Sequence, residues 1–208
     1  MKRNGVCFMS KVKLTVFYYS MGGSNYQMAK WAEEAAIEAG AEVRVVKVAE
    51  LAPQSVIDAN PNWKAHIEAT KDVPEATLDD LEWADAFIFS VPTRFGVMPS
   101  QMKQFLDTAG GLWAEGKTVN KVVSAMTSAM NPHGGQEATI LSLYTMMYHW
   151  GAIVAAPGYL NPVTMEAGGN PYGTSVTIGQ DGKMIEDVEA SVKFQAKRTL
   201  EIAAKIVG

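Results

Sequence analysis

Three short turns hold most of the residues that could do chemistry in this chain, and each leads into a helix-like segment. The first is Ser20-Met21-Gly22-Gly23-Ser24-Asn25. Its glycines let the backbone fold tightly so that successive N–H groups converge, and the start of the following helix adds partial positive charge. The hydroxyls of Ser20 and Ser24 and the amide of Asn25 supply further donors. Such residues build an anion cradle from neutral groups, suited to one phosphate monoester. The Lys-Ser/Thr pair of a P-loop is missing, which disfavours nucleoside triphosphate hydrolysis, and so is the G-x-G-x-x-G of a Rossmann dinucleotide site. A plainer reading is a Gly-Gly turn with a capping serine, because helix starts favour the same residue types.

The second turn is Pro92-Thr93-Arg94-Phe95-Gly96, followed by Met98 and Pro99. A planar aromatic ligand needs backbone donors along its edge and a side chain over its face. Phe95 and the guanidinium of Arg94 could provide them; alternatively Arg94 is a solvated loop arginine and Phe95 belongs to the core. The third turn is Ser128-Ala129-Met130-Asn131-Pro132-His133-Gly134-Gly135-Gln136-Glu137. Convergence of three such turns on one edge is far more specific than any one of them. Beyond them, His149 ends a helix, where it either complements the helix dipole or reaches a bound ring to move a proton. Trp113 follows Gly110-Gly111 and reads as packing or recognition, while His66 falls in a long loop and reads as surface. There is no Gly-x-Ser-x-Gly nucleophile elbow. No metal-ligand spacing is present, so the expected metal content is none.

The elements that must position these turns follow from the hydrophobic pattern. Apolar β-rich runs at residues 12–19, 42–48, 86–91, 121–127 and 152–156 alternate with helical patterns at 25–39, 100–108, 137–149 and 186–207. Ser24 is the expected N-cap of the first helix and Gly40 its stop. The alternation implies right-handed βαβ units and a doubly wound parallel sheet. Five strands in this length predict an α/β, flavodoxin-like five-stranded parallel sheet of order 2-1-3-4-5 with helices on both faces, whose ligands sit beyond the carboxyl ends of the strands. Residues 51–80 and 158–182 exceed ordinary connections and are expected to be lids or oligomer contacts. One domain spans 12–208, and residues 1–11 read as an N-terminal extension free to be disordered.

Composition bounds the rest. The chain has 208 residues, 48% hydrophobic and 19% charged, with a formal net charge of -4. That balance fits a globular protein and disfavours a dedicated nucleic-acid binder, which needs a basic face. The single cysteine, Cys7, cannot close an internal disulfide. With no apolar run near the roughly 20 residues that span a bilayer, no membrane insertion is expected and the location reads as cytoplasmic.

Read together, these segments resemble the WrbA-type NAD(P)H:quinone oxidoreductases, flavodoxin-like proteins that bind FMN. The resemblance begins at Val12 and covers nearly the whole chain. It is carried by Tyr18-Tyr19-Ser20-Met21 with Gly23, by Pro92-Thr93-Arg94-Phe95-Gly96, and by Gly110-Gly111-Leu112-Trp113. Gly134-Gly135-Gln136-Glu137, His149, Gly158-Tyr159 and Pro171-Tyr172-Gly173 add to it. It implies one non-covalent FMN, its phosphate in the loop from Ser20 to Asn25 and its isoalloxazine against Pro92–Gly96 and the turn from Ala129 through Met130, Asn131, Pro132 and His133 to Gly134. It further implies NADH or NADPH as donor, a small quinone-like acceptor, and His149 and Trp113 lining the nicotinamide and quinone pocket. The assembly it implies is a homo-oligomer, a dimer or a tetramer. Two positions depart from the family pattern: Gly22 replaces an aromatic and Ser24 a histidine. Met130-Asn131-Pro132-His133 also stands in place of a Thr-Gly-Thr-Gly stretch, where Pro132 removes a backbone donor.

The activity so implied is a two-electron transfer in two half-reactions. A flavodoxin-type one-electron carrier serving protein partners is the alternative, and the modest net charge speaks against it.

Overall fold

The computed structural model describes residues 11–207. Cys7 and the rest of the expected N-terminal extension up to residue 10 lie outside the described residues. Strand β1 (Lys13–Tyr18) sends alternate side chains to opposite faces, as the pleat requires. Leu14, Val16 and Tyr18 enter one apolar layer, and Phe17 enters the other. Strands β2 (Glu42–Lys47), β3 (Ala86–Pro92) and β4 (Val122–Ala129) join it in parallel, in the order β2-β1-β3-β4. Register runs Val43↔Leu14↔Ala86↔Val122 across the sheet.

The expected fifth strand is shorter than its sequence pattern. Only Ile153–Val154 forms β5, paired to the start of β4, and the edge is completed near the other end of β4 by a sixth strand, β6 (Ser175–Thr177). Pro157 has no N–H to continue the ladder, so the chain leaves the edge and returns at Gly173. A Cβ there would stand 2.0 Å from the Ala125 carbonyl oxygen, so only glycine allows this approach. The strand order 2-1-3-4-5 holds, with the edge divided between two segments.

Helix α1 (Ser24–Glu38) buries Met28, Ala29, Ala32, Ala35 and Ala36. Its small side chains let it lie close against the terminal helix, α9 (Glu189–Val207), which answers with Val192, Ala196, Leu200 and Ala203. The opposite face is larger and more aromatic. Phe17 stacks on Phe89 at 5.4 Å and meets Phe87 edge-on at 5.8 Å, under Leu106, Leu143, Tyr144 and Met147. Burying each such side chain contributes about 1.5–3 kcal/mol. Gly40 stops α1 as expected: at φ +86 it donates to Ile37 O, and Ala41 N donates to Ala36 O. Ser24 is not the N-cap. That position falls to Gly23, with φ +95, and Ser24 begins the helix.

Residues 51–80 are not an irregular loop. They form α2 (Gln54–Asp58), α3 (Pro61–Ala69) and α4 (Leu78–Trp83). Asn60 caps α3 by accepting from Trp63 N at 3.1 Å, and Thr77 with Asp80 makes a capping box on α4. Helices α5 (Ser100–Asp107), α6 (Gly110–Ala114) and α7 (Gln136–His149) complete the aromatic face. The segment 158–182 holds α8 (Val163–Glu166), β6 and the start of a tight hairpin closed by an Ile178↔Met184 bridge.

Candidate functional site

The carboxyl ends of β1, β3 and β4 open on a cavity of about 770 Å³, within the roughly 300–1,000 Å³ of small-molecule sites. All of the turns singled out in the sequence contribute to its lining: Ser20, Met21, Gly22, Ser24 and Asn25 after β1, Pro92, Thr93 and Arg94 after β3, and Ser128, Ala129 and Met130 around the end of β4.

The first turn presents the start of α1 to this cavity. Gly23 N donates to Ser20 Oγ at 2.9 Å. The N–H groups of Ser24, Asn25 and Tyr26 form the first helical turn, where no intrahelical carbonyl can receive them. Asn25 is buried and engaged from beneath: its Oδ1 accepts from Ser128 Oγ at 2.7 Å, and Ser90 Oγ donates to its carbonyl oxygen at 2.8 Å. The Asn25 amide therefore braces the cradle against β3 and β4 instead of projecting a free donor. What faces the cavity is backbone N–H together with serine hydroxyl, a donor set that fits a phosphate monoester.

The second turn is a tight reversal. Arg94 and Val97 exchange backbone hydrogen bonds of 2.8 and 3.1 Å around Phe95 at φ +55 and Gly96 at φ +81, the positive-φ pair of a type I′ turn. Phe95 is not core; its ring is fully exposed. Arg94 donates to Thr93 O at 2.9 Å and lies against the Met21 sulfur, so it is held at the cavity wall and not free in solvent. Thr93 Oγ1 accepts from Gly96 N and from Thr139 Oγ1 and lies 3.3 Å from Gly134 O, which locks the second turn to the third. Gly135, at φ +92, lets the two backbones touch: a Cβ there would stand 2.8 Å from Gly96 Cα.

In the third turn only the portion through Met130 lines the cavity. Asn131, Pro132 and His133 are exposed outside it, and Asn131 accepts within the turn, its Oδ1 from His133 N and its carbonyl oxygen from Gly134 N and Gln136 Nε2. His149 and Trp113 are brought to each other, with Trp113 Nε1 donating to His149 O at 2.9 Å. Both are exposed, and neither belongs to the cavity lining.

Two further walls come from the segments 51–80 and 158–182 expected to be lids or oligomer contacts, although the sequence assigned none of their residues to the site. Helix α3 brings Asn60, Asn62, Trp63, Ala65, His66 and Ala69, and the hairpin brings residues 178–182. They meet where a Cβ on Gly182 would stand 3.9 Å from Asn62 Nδ2. The Asn60-Pro61 pair was the available signal for α3, as an N-cap followed by proline at the first helical position. His66, expected at the surface, is half-buried in this wall, its ring 5.8 Å from Tyr26. Burial and then the nearby charge of Lys47 lower its pKa from 6.5.

One carboxylate fastens the α3 wall. Glu50 accepts from Tyr19 Oη (3.0 Å), Trp63 Nε1 (3.2 Å), Gln101 Nε2 (2.9 Å) and the N–H groups of Leu51 and Ala52. Burial raises the Tyr19 phenol pKa, and the facing Glu50 charge raises it further. Among the described residues no cluster of three or more His, Cys, Asp or Glu could hold a metal ion, and no helix is long and apolar enough to cross a membrane.

A parallel sheet of this order, with its turns gathered on one carboxyl-end cavity, defines a flavodoxin-like α/β protein. Solved structures share the fold: a flavodoxin, WrbA-like protein from Agrobacterium tumefaciens aligns over 94% of this chain and 99% of its own at TM-score 0.58 and 20% identity. FerB, a flavoenzyme NAD(P)H:(acceptor) oxidoreductase from Paracoccus denitrificans, aligns over 94% and 98% at TM-score 0.57 and 13% identity. Residues 12–163 match the sequence family described as NADPH-dependent FMN reductase. An NAD(P)H dehydrogenase (quinone) of Deinococcus radiodurans is 55% identical over 95% of this chain and 98% of its own length. One of Brucella abortus is 41% identical over 95% and 100%. The chain belongs to the NADPH-dependent FMN reductase family, is an oxidoreductase like its NAD(P)H dehydrogenase (quinone) relatives, and shares the flavodoxin-like fold of the WrbA-like protein.

Proposed function

We propose that this protein uses one non-covalently held FMN to pass two electrons from NADH or NADPH to a quinone or similar small acceptor, the nicotinamide leaving before the acceptor enters. The observation that carries the reading is the convergence of the β1, β3 and β4 turns on one cavity whose β1 side is an open helix start. When bound, the flavin supplies the redox chemistry, receiving a hydride and returning two electrons.

The chain's own residues supply binding and electrostatics. The N–H groups of Ser24, Asn25 and Tyr26 with the Ser20 and Ser24 hydroxyls hold the phosphate. Arg94 adds a fixed positive charge at the wall, which favours negative charge on a ligand in the cavity. Phe95 offers an exposed ring with which to cover an aromatic ligand. His149 is our candidate proton donor to the acceptor: His149→Asn protein that retains FMN but turns over slowly supports that role, and unchanged turnover removes it. The homologous quinone reductases favour a quinone among acceptors. We further propose a homo-oligomer, in which the exposed Trp113 and His149 of each copy lie at or near an interface.

The deciding experiment is an absorbance spectrum after FMN addition and desalting, followed by anaerobic NADH and NADPH. Retained flavin that bleaches in one two-electron step supports the oxidoreductase. Retained flavin that ignores both nucleotides supports a carrier instead, and no retained flavin overturns the reading.

A further inference from the structure

We propose that His66 reads the terminal phosphate of the flavin, taking up a proton as that phosphate enters the cradle; this rests on the reading that the cavity holds FMN. The geometry comes first. Helix α3 places His66 Nδ1 3.6 Å from where a Cβ on Gly23 would stand, against the N-cap of α1. The imidazole thus lines the same cavity as Ser20, Gly22 and Ser24, on the wall facing the open helix start.

The cradle itself contains no charged side chain. Residues 20–25 are all neutral, and Arg94, the fixed charge of the β3 wall, is held by Thr93 O and the Met21 sulfur in the second turn and not in the cradle. A phosphate monoester carries about 1.5 to 2 negative charges near neutral pH. Helix N–H groups and hydroxyls meet part of that charge, and His66 is the group beside them able to become a cation.

The surroundings of the ring favour such a switch. Tyr26 packs on it from α1 and Lys47 faces it from β2, tied to Thr70 O at 2.7 Å. On its own helix, Glu68 is paired with Lys71 at 2.6 Å and Lys64 with Asp58 at 2.8 Å. Asp181, on the hairpin, is an exposed carboxylate of the cavity lining. Burial and Lys47 favour the neutral imidazole in the free protein, whereas an adjacent phosphate dianion favours the imidazolium. Binding therefore draws one proton from solution onto the ring. FMN affinity falls as pH rises through the raised pKa of the bound state, and riboflavin, which has no phosphate, shows no such dependence. The flavin phosphate's own second ionisation lies near pH 6 and acts in the opposite sense, so the difference between wild type and variant is the quantity to read.

The test measures FMN and riboflavin dissociation constants by flavin fluorescence from pH 5.5 to 8.5, with wild type, His66→Gln and His66→Lys. Calorimetry of FMN binding in two buffers of different ionisation enthalpy counts the proton taken up. We expect His66→Gln to weaken FMN about tenfold at pH 6, the scale of one charge-assisted hydrogen bond, to leave riboflavin unchanged, and to abolish the extra proton. His66→Lys, with a permanent charge, restores FMN binding and keeps it at pH 8. Equal pH dependence in wild type and His66→Gln, or equal losses for FMN and riboflavin, overturns the proposal. Failure of the wild type to bind FMN overturns the flavin reading instead.

Discussion

Replacing Glu50 by glutamine is the sharpest probe of how this cavity is held. The substitution keeps the shape but turns one acceptor oxygen into a donor. Oε1 accepts from Leu51 N, Ala52 N and Gln101 Nε2, while Oε2 takes Tyr19 Oη and Trp63 Nε1. The new amide nitrogen settles on the Oε2 side, where the fewest donors compete. Tyr19 can turn its hydroxyl to accept from it, but the indole N–H of Trp63 can only donate. The buried indole then faces another donor, and the tie between α3 and the β2 end is lost. A hydrogen bond to a charged group contributes about 1.5–3 kcal/mol, and the lower half of that range applies because Glu50 is half-buried. A loss of about 2 kcal/mol, if it is felt wholly as a displaced wall, weakens FMN about 30-fold. Thermal melts and FMN fluorescence titration read both effects. Trp63→Phe removes the same tie from the other side, so the Glu50→Gln/Trp63→Phe double variant is expected to lose little more than either single. Unchanged melting and FMN affinity in Glu50→Gln, or strict additivity in the double variant, would refute the reasoning.

Three further perturbations test separate parts of the structure. Phe95→Asn relieves a left-handed backbone that costs an ordinary residue about 1–2 kcal/mol, so the flavin-free protein is expected to melt no lower while FMN affinity drops; a lower melting temperature would show that the ring serves the fold. Gly173→Ala drives a Cβ into the Ala125 carbonyl and toward Ile140 Cδ1 at 3.1 Å, and a loss of about 3 kcal/mol in chemical denaturation is expected for such overpacking. His66, whose pKa lies below 6.5 in the folded free protein, contributes stability that is fully present above pH 6.5 and lost as pH falls through the lowered folded value, because the unfolded chain takes up the proton first. The flavin-free His66→Gln protein should therefore lose less melting temperature than wild type between pH 7 and pH 5, and parallel curves would contradict the assignment.

Where the sequence carried a strong local signal, the structure agrees with it. The apolar runs in 12–19 and 86–91 mark strands because each face of the sheet is covered, and Gly40 marks a helix end because only a positive φ closes that turn. The three turns were legible for the same reason, since glycine, proline and serine are chosen there by backbone geometry. Legibility fails where long-range contacts decide. The run 152–156 reads as a full strand, yet Ser175–Thr177 takes the far part of that edge, an outcome set by how Gly173 and Thr174 pack on β4 and α9. Helix α3 is short, and its face is dictated by Glu50 and Trp63 pairing across 13 residues of sequence, a contact that hydrophobic periodicity cannot register.

The same distinction separates the two sides of the cavity. The strand-end side is built from backbone geometry: positive-φ glycines, a type I′ turn and a helix start, braced by the buried Asn25, Ser90 and Ser128. Positions of that kind constrain residue type strongly, so they can be read from a chain met for the first time. The α3 and hairpin side is built from side-chain ties, above all Trp63 on Glu50 and the approach of Gly182 to Asn62. Such ties leave residue type freer, and a wall fixed by them can be retuned without rebuilding the sheet. His66 lies on that second side while facing the first. A site that keeps its fixed donors in the backbone and its titratable group on a separate helix can change how its ligand's binding depends on pH through α3 alone, leaving β1 and α1 as they are.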